Sequence, residues 1–253
     1  MMEACKKNPD DNSINLFTVS DDKSLGLQVK TEIFANPGEY PILDSVQYKP
    51  AYDYLRGIVT KILDGGKVFY KDDFVWETYI IKDDNVLNAF CTPGGYMFVY
   101  TGLIKYLEAE HELAGVMGHE IAHADRRHST DALTQQYGLS VLLNVVFGSD
   151  ESTLKNIAGN LATLKFSRSH ETEADDYSVV YLCPTSYKAD GAAAFFKKLI
   201  DNGDGSGDLE WFSTHPSPDN RVTEIEAKKA ELNCTGNGTF DASYQNFKTN
   251  LIP

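Results

Sequence analysis

The chain has 253 residues, 42% of them hydrophobic and 24% charged, which is the composition of an ordinary globular protein with a substantial core. Its 37 acidic and 23 basic residues give a formal net charge of −14. This charge argues against a nucleic-acid partner and against electrostatic docking on an anionic membrane, because both depend on Lys and Arg. The longest apolar run, residues 139–147, is far shorter than the roughly 20 residues of a membrane-spanning helix.

The predicted elements begin with a leader, two helices and a short sheet. Residues 1–20 are polar and lack periodicity, so we expect them to be disordered. Apolar residues recur near helical spacing over residues 21–35, after an aspartate cap, and more clearly over residues 48–63. Residues 74–82, "FVWETYIIK", are rich in β-branched and aromatic side chains and predict a strand. The segments on either side of Pro93 and the two following glycines predict a hairpin.

The rest of the chain is predicted to be helical. Helices are expected at about residues 109–127, 129–146, 151–165, 168–182, 188–201 and 218–232. The last of them has the clearest start, with Ser217 as the N-cap and Pro218 at the first helical position. Helices, a short sheet and then more helices predict an α+β fold that is mostly helical, with residues 21–253 as a single domain.

The segment "AGVMGHEIAHADRRH", residues 114–128, carries the candidate chemistry. His119 and His123 are four residues apart, which places both imidazoles on one face of a helix with Glu120 beside them. Zinc binds two such nitrogens at about 2.0–2.1 Å, and the carboxylate can accept a proton from water on the metal. Because three residues define this motif, a polar helix surface that contains two histidines remains the alternative at this point.

A third ligand has to come from another segment. His128 is out of phase with the face that carries His119 and His123, and His111 has Gly115 where a partner histidine would stand. We therefore expect His111 and His128 to be surface residues or supports of the ligands.

The segment "SRSHETEAD", residues 167–175, contains candidates for the third ligand. Glu171 and Asp175 are four residues apart and share a helix face. One carboxylate can bind zinc while the other accepts a hydrogen bond from a liganding imidazole. A solvated acidic helix face is the alternative, and Glu173 is expected to belong to it.

The segment "STHPSPDNR", residues 213–221, places His215 just before a helix and Arg221 one turn into it. Near a zinc site, the two side chains would stabilise the oxyanion that forms when water attacks a carbonyl. By itself the pair is weak, and a structural loop histidine is the alternative.

Together, four motifs in fixed order carry a resemblance to a known family. The chain resembles the HtpX-like and CAAX-prenyl-protease-related gluzincin metallopeptidases, and among them the soluble members of the bacterial envelope. The resemblance extends over about residues 20–232. The motifs are "NAFCTPGGYMFVYTGLI", "LAGVMGHEIAHADRRH", "SRSHETEAD" and "STHPSPDNR".

The resemblance implies a zincin-like catalytic domain that binds one Zn²⁺ per chain. The ligands would be His119, His123 and Glu171, and Glu120 would be the general base. Asp175 would orient a zinc-binding histidine, with His119 as the expected partner. Two further residues, His215 and Arg221, would support the transition state or cover the metal in a resting form.

The resemblance also implies how substrate binds. Asn88, Ala89 and Phe90 would lie on an edge strand that pairs with an extended polypeptide through main-chain hydrogen bonds. The expected function is zinc-dependent hydrolysis of peptide bonds in unfolded or misassembled envelope proteins. A chaperone-like binding module is the main alternative, although a pure binder has no need of Glu120. A purely structural zinc site is a weaker alternative, because no cysteine pair has ligand spacing.

The four cysteines bear on the location of the protein. Cys91 lies among apolar residues, which is typical of a buried thiol. Cys183 and Cys234 each follow a predicted helix, and a disulfide between them would tie the C-terminal helix to the body of the protein. Cys5 stands at the head of the polar leader, as in a lipoprotein, so a lipid on Cys5 would be the membrane contact. Both features predict a bacterial envelope protein, and a cytosolic enzyme with four reduced thiols is the alternative.

Overall fold

The computed structural model describes residues 17–202, 211, 215 and 220–253. Helices dominate the described residues, and one small sheet accompanies them, so the predicted α+β class is confirmed. The elements are, in chain order, α1 (Val19–Ala35), α2 (Lys49–Asp64), β1 (Glu77–Ile81), β2 (Ala89–Cys91), β3 (Tyr96–Tyr100), α3 (Thr101–Tyr106), α4 (Glu110–Asp125), α5 (His128–Tyr137), α6 (Leu139–Val146), α7 (Glu151–Asn160), a 3₁₀ turn (Leu161–Thr163), α8 (Arg168–Leu182), α9 (Gly191–Asp201), α10 (Arg221–Glu231), α11 (Asp241–Asn246) and a final π turn (Phe247–Leu251).

Helix α1 begins at Val19, two residues before the predicted start. Thr18 forms a capping box, because its hydroxyl accepts from the backbone N–H of Asp21 and the Asp21 carboxylate accepts from the backbone N–H of Thr18. Phe17 is buried, so the fold includes the last residues of the segment predicted to be a disordered leader. Residues 1–16, with Cys5 among them, lie outside the described residues.

The small sheet contains both the predicted strand and the predicted hairpin. Strand β3 lies in the middle, pairing in parallel with β1 and antiparallel with β2, and the strand order is β1-β3-β2. Within the hairpin, Ala89 stands opposite Val99 and Cys91 stands opposite Met97. Strand β2 is therefore an edge strand of the sheet.

Several predicted helix bounds were wrong. The single helix expected at 129–146 is interrupted at Gly138, whose φ of 82° is a conformation that glycine adopts readily, so α5 and α6 are separate helices. The helix expected at 151–165 ends at Asn160 and continues as a 3₁₀ turn. Two short helices, α3 and α11, have no prediction. Among the described residues, α10 begins at Arg221, whereas the predicted cap at Ser217 and Pro218 lies outside them.

Helix α4 is the central element of the core. Every residue of α4 except Glu112 is buried, although the helix includes several polar side chains. Helices α8 and α9 pack along α4, and strand β2 lies against it. At Gly115 the backbones of α4 and α9 approach so closely that an added Cβ would stand 2.1 Å from the backbone nitrogen of Ala192.

A left-handed turn ends α4 and starts α5. Arg127 has a φ of 63°, which a non-glycine residue adopts only when its surroundings hold it there. Its buried guanidinium donates through Nε to the carboxylate of Asp22 at 2.6 Å and through Nη2 to the carbonyl of Phe17 at 2.7 Å. These bonds tie α1 to the turn, and the turn reverses the chain so that His128 starts α5 next to the end of α4.

Cys183 and Cys234 form a disulfide in the structure, and Cys91 is a buried free thiol. The bridge joins the residue after α8 to the segment after α10 and closes a loop with a sequence separation of 51 residues. By the chain-entropy relation, such a loop contributes roughly 4 kcal/mol to the free energy of unfolding.

No helix within the described residues is both long and apolar enough to cross a bilayer.

The close contact at Gly115 predicts a stability difference between two alanine variants of α4. Gly115→Ala should lower the free energy of unfolding by about 1–3 kcal/mol, because the new methyl group collides with the backbone of α9. Gly118→Ala is the matched control, since its nearest atoms would be 3.6 Å away. It should be neutral or more stable by up to about 1 kcal/mol through the gain in helix propensity. Urea unfolding of both variants measures the difference, and equal stability would contradict this account of the contact.

Candidate metal centre

Four buried side chains converge in the core. His119 and His123 come from α4, Glu171 comes from α8, and His215 comes from the segment before α10. One potential ligand atom from each residue lies within 4.8 Å of all the others. All four side chains are almost inaccessible to solvent. The structure therefore brings together the three predicted ligands and one residue that the sequence analysis assigned to the transition state or to a covered resting form.

The spacing of these atoms fits a zinc ion. Ligands about 2.0–2.1 Å from a tetrahedral zinc lie about 3.3–3.4 Å from one another. His119 Nε2 and His123 Nε2 are 3.0 Å apart, and they lie 3.6 and 3.3 Å from the two carboxylate oxygens of Glu171. His215 Nδ1 lies 3.0 Å from Glu171 Oε1. The donors also match the nitrogen and carboxylate ligands that zinc prefers.

The surroundings of the cluster favour the ligating forms of His119, His123 and Glu171. Burial holds the pKa values of His119 and His123 well below the usual value for histidine, so both rings are neutral. Burial by itself would raise the pKa of Glu171, but His215, His123 and Arg221 together hold it well below its ordinary value. Neutral imidazoles and an ionised carboxylate are the forms that bind a metal ion.

Asp175 and Arg221 hold the ligands from the side. Asp175 Oδ1 lies 2.9 Å from His119 Nδ1, the ring nitrogen opposite the one that faces the cluster. The guanidinium of Arg221 donates to both oxygens of Asp175, at 2.6 and 2.8 Å, and lies 3.0 Å from Glu171 Oε2. It also stacks at 3.8 Å over the ring of Phe196. Arg221 is thus bound within the protein and connects the carboxylates of α8 to α10.

Glu120 lies beside the cluster as a candidate base. Its Oε1 atom is 3.6 Å from His215 Nε2 and has no hydrogen-bond partner among the residues that the structure describes. Burial raises the pKa of Glu120 to about 8, and the negative charge of Glu171 adds to this, while His215 and Arg221 oppose it. A carboxylate with a raised pKa can both accept and return a proton near neutral pH.

Two aromatic rings pack against the site, and neither was predicted from the sequence. The ring of Phe166 stacks on His123 with a centroid distance of 3.9 Å, and the ring of Trp211 stacks on His215 at 4.4 Å. Their only signal in the sequence is that each flanks a motif, Phe166 before "SRSHETEAD" and Trp211 before "STHPSPDNR".

Strand β2, which is expected to pair with substrate, forms hydrogen bonds with other groups of the protein in this structure. Asn88, Ala89 and Phe90 are buried, and the Asn88 amide donates at 3.1 Å to the carbonyl of Ala162 in the 3₁₀ turn. The backbone N–H of Ala89 donates to the Asn88 side chain, and the hydroxyl of Ser129 donates to the carbonyl of Cys91. The outer edge of β2 is therefore covered on the side where an added strand would pair.

Glu173 and His111 lie in other surroundings than expected, whereas His128 contacts a predicted ligand, which is one of its two expected placements. Glu173 is half-buried, and although burial raises its pKa, His128 and Arg126 bring it down to about 2, so Glu173 is an ion-pair partner instead of a solvated residue. His128 is buried, and its Nδ1 lies 3.1 Å from His123 Nδ1. His111 is also buried, at the start of α4, and is not one of the clustered donors.

The site combines a His-Glu-x-x-His helix with a glutamate from a second helix, an arrangement typical of metallopeptidases. The family comparison agrees, because the model described as "Peptidase family M48" matches residues 53–229. The chain belongs to peptidase family M48, and the resemblance noted from its motifs is confirmed.

The chain is similar to mitochondrial and bacterial members of this family. It is 35% identical over 144 residues to mitochondrial metalloendopeptidase OMA1 of Arabidopsis thaliana, which is 56% of this chain and 29% of that protein. The protein of the same name from Schizosaccharomyces pombe is 31% identical over 183 residues, which is 71% of this chain and 53% of that protein. The beta-barrel assembly-enhancing protease of Escherichia coli is 28% identical over 168 residues, 61% of this chain and 34% of that protein. The chain thus matches between 29% and 53% of the length of these relatives.

The geometry of the cluster predicts the metal content of the protein. Purified protein should contain about one equivalent of zinc by elemental analysis. His119→Ala should lose most of this zinc, because the variant lacks one of the clustered nitrogens. His111→Ala is the matched control, since it removes another buried histidine of α4 and should leave the zinc content unchanged. Full zinc retention in His119→Ala would rule out His119 as a ligand.

Proposed function

We propose that this protein is a zinc-dependent endopeptidase in which His119, His123 and Glu171 bind the metal and Glu120 is the general base. The proposal rests on the convergence of the four buried donors, with the buried carboxylate of Glu120 beside them. When bound, zinc supplies a Lewis acid that polarises the scissile carbonyl and makes water acidic enough to attack it.

The protein side chains have separate tasks in this proposal. Glu120 accepts the proton of the attacking water at its carboxylate and delivers it to the nitrogen of the leaving amine. Asp175 accepts a hydrogen bond from His119 Nδ1 and thereby keeps the other ring nitrogen, Nε2, directed at the metal. Arg221 acts through Asp175 and Glu171 as a positioning residue, because its Nε and Nη2 atoms contact their carboxylates and its guanidinium lies over the ring of Phe196.

We propose that His215 covers the metal position in the resting form. Its Nδ1 lies among the ligand atoms and its Nε2 faces Glu120, so the imidazole occupies the space that water and a carbonyl need. The alternative role of His215 is to support the oxyanion from beside the metal position, in which case its imidazole does not cover that position at rest. Trp211 and Phe166 pack against the site, and both rings would have to shift when the imidazole of His215 leaves the metal position.

The proposed substrate is an unfolded polypeptide bound in an extended form along β2. Recognition through the main chain suits many sequences, since it uses groups that every peptide has. Pairing at β2 would require the contacts of Asn88 and Ser129 with its outer edge to be released. The catalytic unit is proposed to be a single domain, with the residues before Phe17 as a leader.

The proposed location is the bacterial envelope, with Cys5 as a site of lipid attachment. The disulfide between Cys183 and Cys234 supports an oxidising compartment, and one relative carries the name beta-barrel assembly-enhancing protease.

Incorporation of a radiolabelled fatty acid into the full chain should occur in the wild type and be absent in Cys5→Ala. Non-reducing peptide mapping of protein from that compartment should recover Cys183 and Cys234 in one linked pair. Free thiols at both positions would contradict export.

Glu120→Gln separates hydrolysis from binding. The variant should retain zinc but lose cleavage of an unfolded protein such as casein, because an amide cannot accept the proton of the attacking water. A chelator should abolish wild-type cleavage, and added zinc should restore it. Wild-type rates in Glu120→Gln would contradict the role of Glu120. Metal-dependent casein binding without any turnover by the wild type would favour the chaperone-like module instead.

His215→Ala tests the resting cover. Removing the imidazole should raise the rate of casein cleavage at unchanged zinc content. The largest possible increase is one divided by the fraction of wild-type molecules in which His215 has left the metal position. A loss in kcat of about 10²–10³-fold would contradict the cover and assign His215 to the oxyanion.

A further inference from the structure

The two histidines of α4 have different partners on the side that faces away from the metal position. His119 directs Nε2 into the cluster and holds the carboxylate of Asp175 with Nδ1. His123 also directs Nε2 into the cluster, but its Nδ1 lies 3.1 Å from Nδ1 of a third histidine, His128. The imidazole of His128 therefore has the position relative to His123 that the carboxylate of Asp175 has relative to His119.

The tautomers of both rings follow from this contact together with the proposed binding of zinc through His123 Nε2. A neutral imidazole that binds metal through Nε2 carries its proton on Nδ1. His123 therefore donates from Nδ1–H to Nδ1 of His128, which must be unprotonated to accept. The proton of a neutral His128 is then on Nε2, and this atom lies 3.1 Å from Oε2 of Glu173. Each hydrogen bond thus has a defined direction, from His123 to His128 and from His128 to Glu173.

The carboxylate of Glu173 and the ring of His128 are both held in place by neighbouring side chains. Arg126 donates from Nε to Glu173 Oε1 at 2.6 Å, which leaves Oε2 for His128. The Arg126 guanidinium itself lies over the ring of Tyr177 at 4.4 Å. The ring of His170 stacks on His128 with a centroid distance of 4.3 Å and an angle of 8° between planes. These contacts fix the plane in which His128 can accept a hydrogen bond.

We propose that His128 is a positioning residue for His123, and that His123, His128 and Glu173 form a hydrogen-bonded relay that orients the metal-binding ring. The relay rests on the proposed zinc site, for which it is the counterpart of the contact between His119 and Asp175. No proton leaves its residue, because the relay works by holding the His123 tautomer and ring plane. Its loss weakens zinc binding by allowing His123 to rotate or to change tautomer.

Two replacements of His128 separate hydrogen bonding from packing. His128→Phe retains a ring that can stack on His170 but removes the acceptor for His123. His128→Asn loses the ring but retains an acceptor oxygen close to the former position of Nδ1. His111→Phe is the matched control, because His111 is also a buried histidine and lies outside the cluster.

The first measurement is the zinc Kd, obtained by competition with a chromophoric chelator. His128→Phe should bind zinc about 10–100-fold more weakly than the wild type, the usual effect of removing such a partner. His128→Asn should recover most of that loss, and His111→Phe should bind like the wild type. The visible spectrum of the cobalt-substituted protein should change in His128→Phe, since the ligand field depends on the orientation of His123. The melting temperature of each metal-free variant shows whether it is folded.

Glu173→Gln provides a second route that does not depend on the folding of His128→Phe. As a single change, Glu173→Gln should weaken zinc binding relative to the wild type, because the amide is a poorer acceptor for His128 Nε2–H. It should cause no further loss when added to His128→Phe, because the relay is already broken in that variant. Additive losses from the two changes would overturn the relay.

The outcomes distinguish the relay from the zinc site itself. A wild-type protein that binds no zinc refutes the proposed function, whatever the variants do. If the wild type binds zinc tightly and the Kd of His128→Phe is within about twofold of the wild-type value, the zinc site stands and the relay is overturned. An equal loss in His111→Phe, or no recovery in His128→Asn, also overturns it, because the effect would then come from packing. If His128→Phe does not fold, an unchanged Kd in Glu173→Gln overturns the relay in its place.

Discussion

The burial of α4 is the constraint on which the rest of the structure depends. A polar or charged side chain in the core is costly unless it is paired, and α4 carries such side chains along its whole length. At its first residue, Glu110 is paired with Lys61 and Tyr187 and with the hydroxyl of Ser243. At its last residue, Asp125 accepts from the hydroxyl of Tyr181 and from backbone N–H groups of the segment that follows α2. Docking of neighbouring elements onto α4 therefore requires polar pairing as well as apolar contact.

The candidate site obeys the same requirement in the middle of the helix. His119 is paired with Asp175 from α8, and Arg221 from α10 completes that contact. His123 is paired with His128 across the turn after α4. Asp175 of α8 and Arg221 of α10 thus belong both to the packing around α4 and to the immediate surroundings of the donor cluster. The disulfide after α8 and α10 reinforces the position of the two helices.

Some parts of the fold were predictable because they depend on neighbours in sequence. The hairpin follows from β-branched and aromatic segments around a turn, and the α8 helix was predicted with its observed bounds. The start of α1 was wrong by two residues, because the capping box formed by Thr18 and Asp21 is stronger than the aspartate cap alone. The break at Gly138 was also missed, since a glycine within an apolar helical pattern can either continue or end the helix.

The sequence by itself determined which residues share a helix face: His119 with His123, and Glu171 with Asp175, because helical spacing is a local property. Only the tertiary structure decided which groups meet across elements. The left-handed turn at Arg127 is held by Asp22 of α1, and it returns His128 to His123 although the helical spacing of the two residues places them out of phase. His215 among the donors and Phe166 over His123 have the same origin. These contacts join residues that only packing of the whole chain brings together, and no local pattern records them.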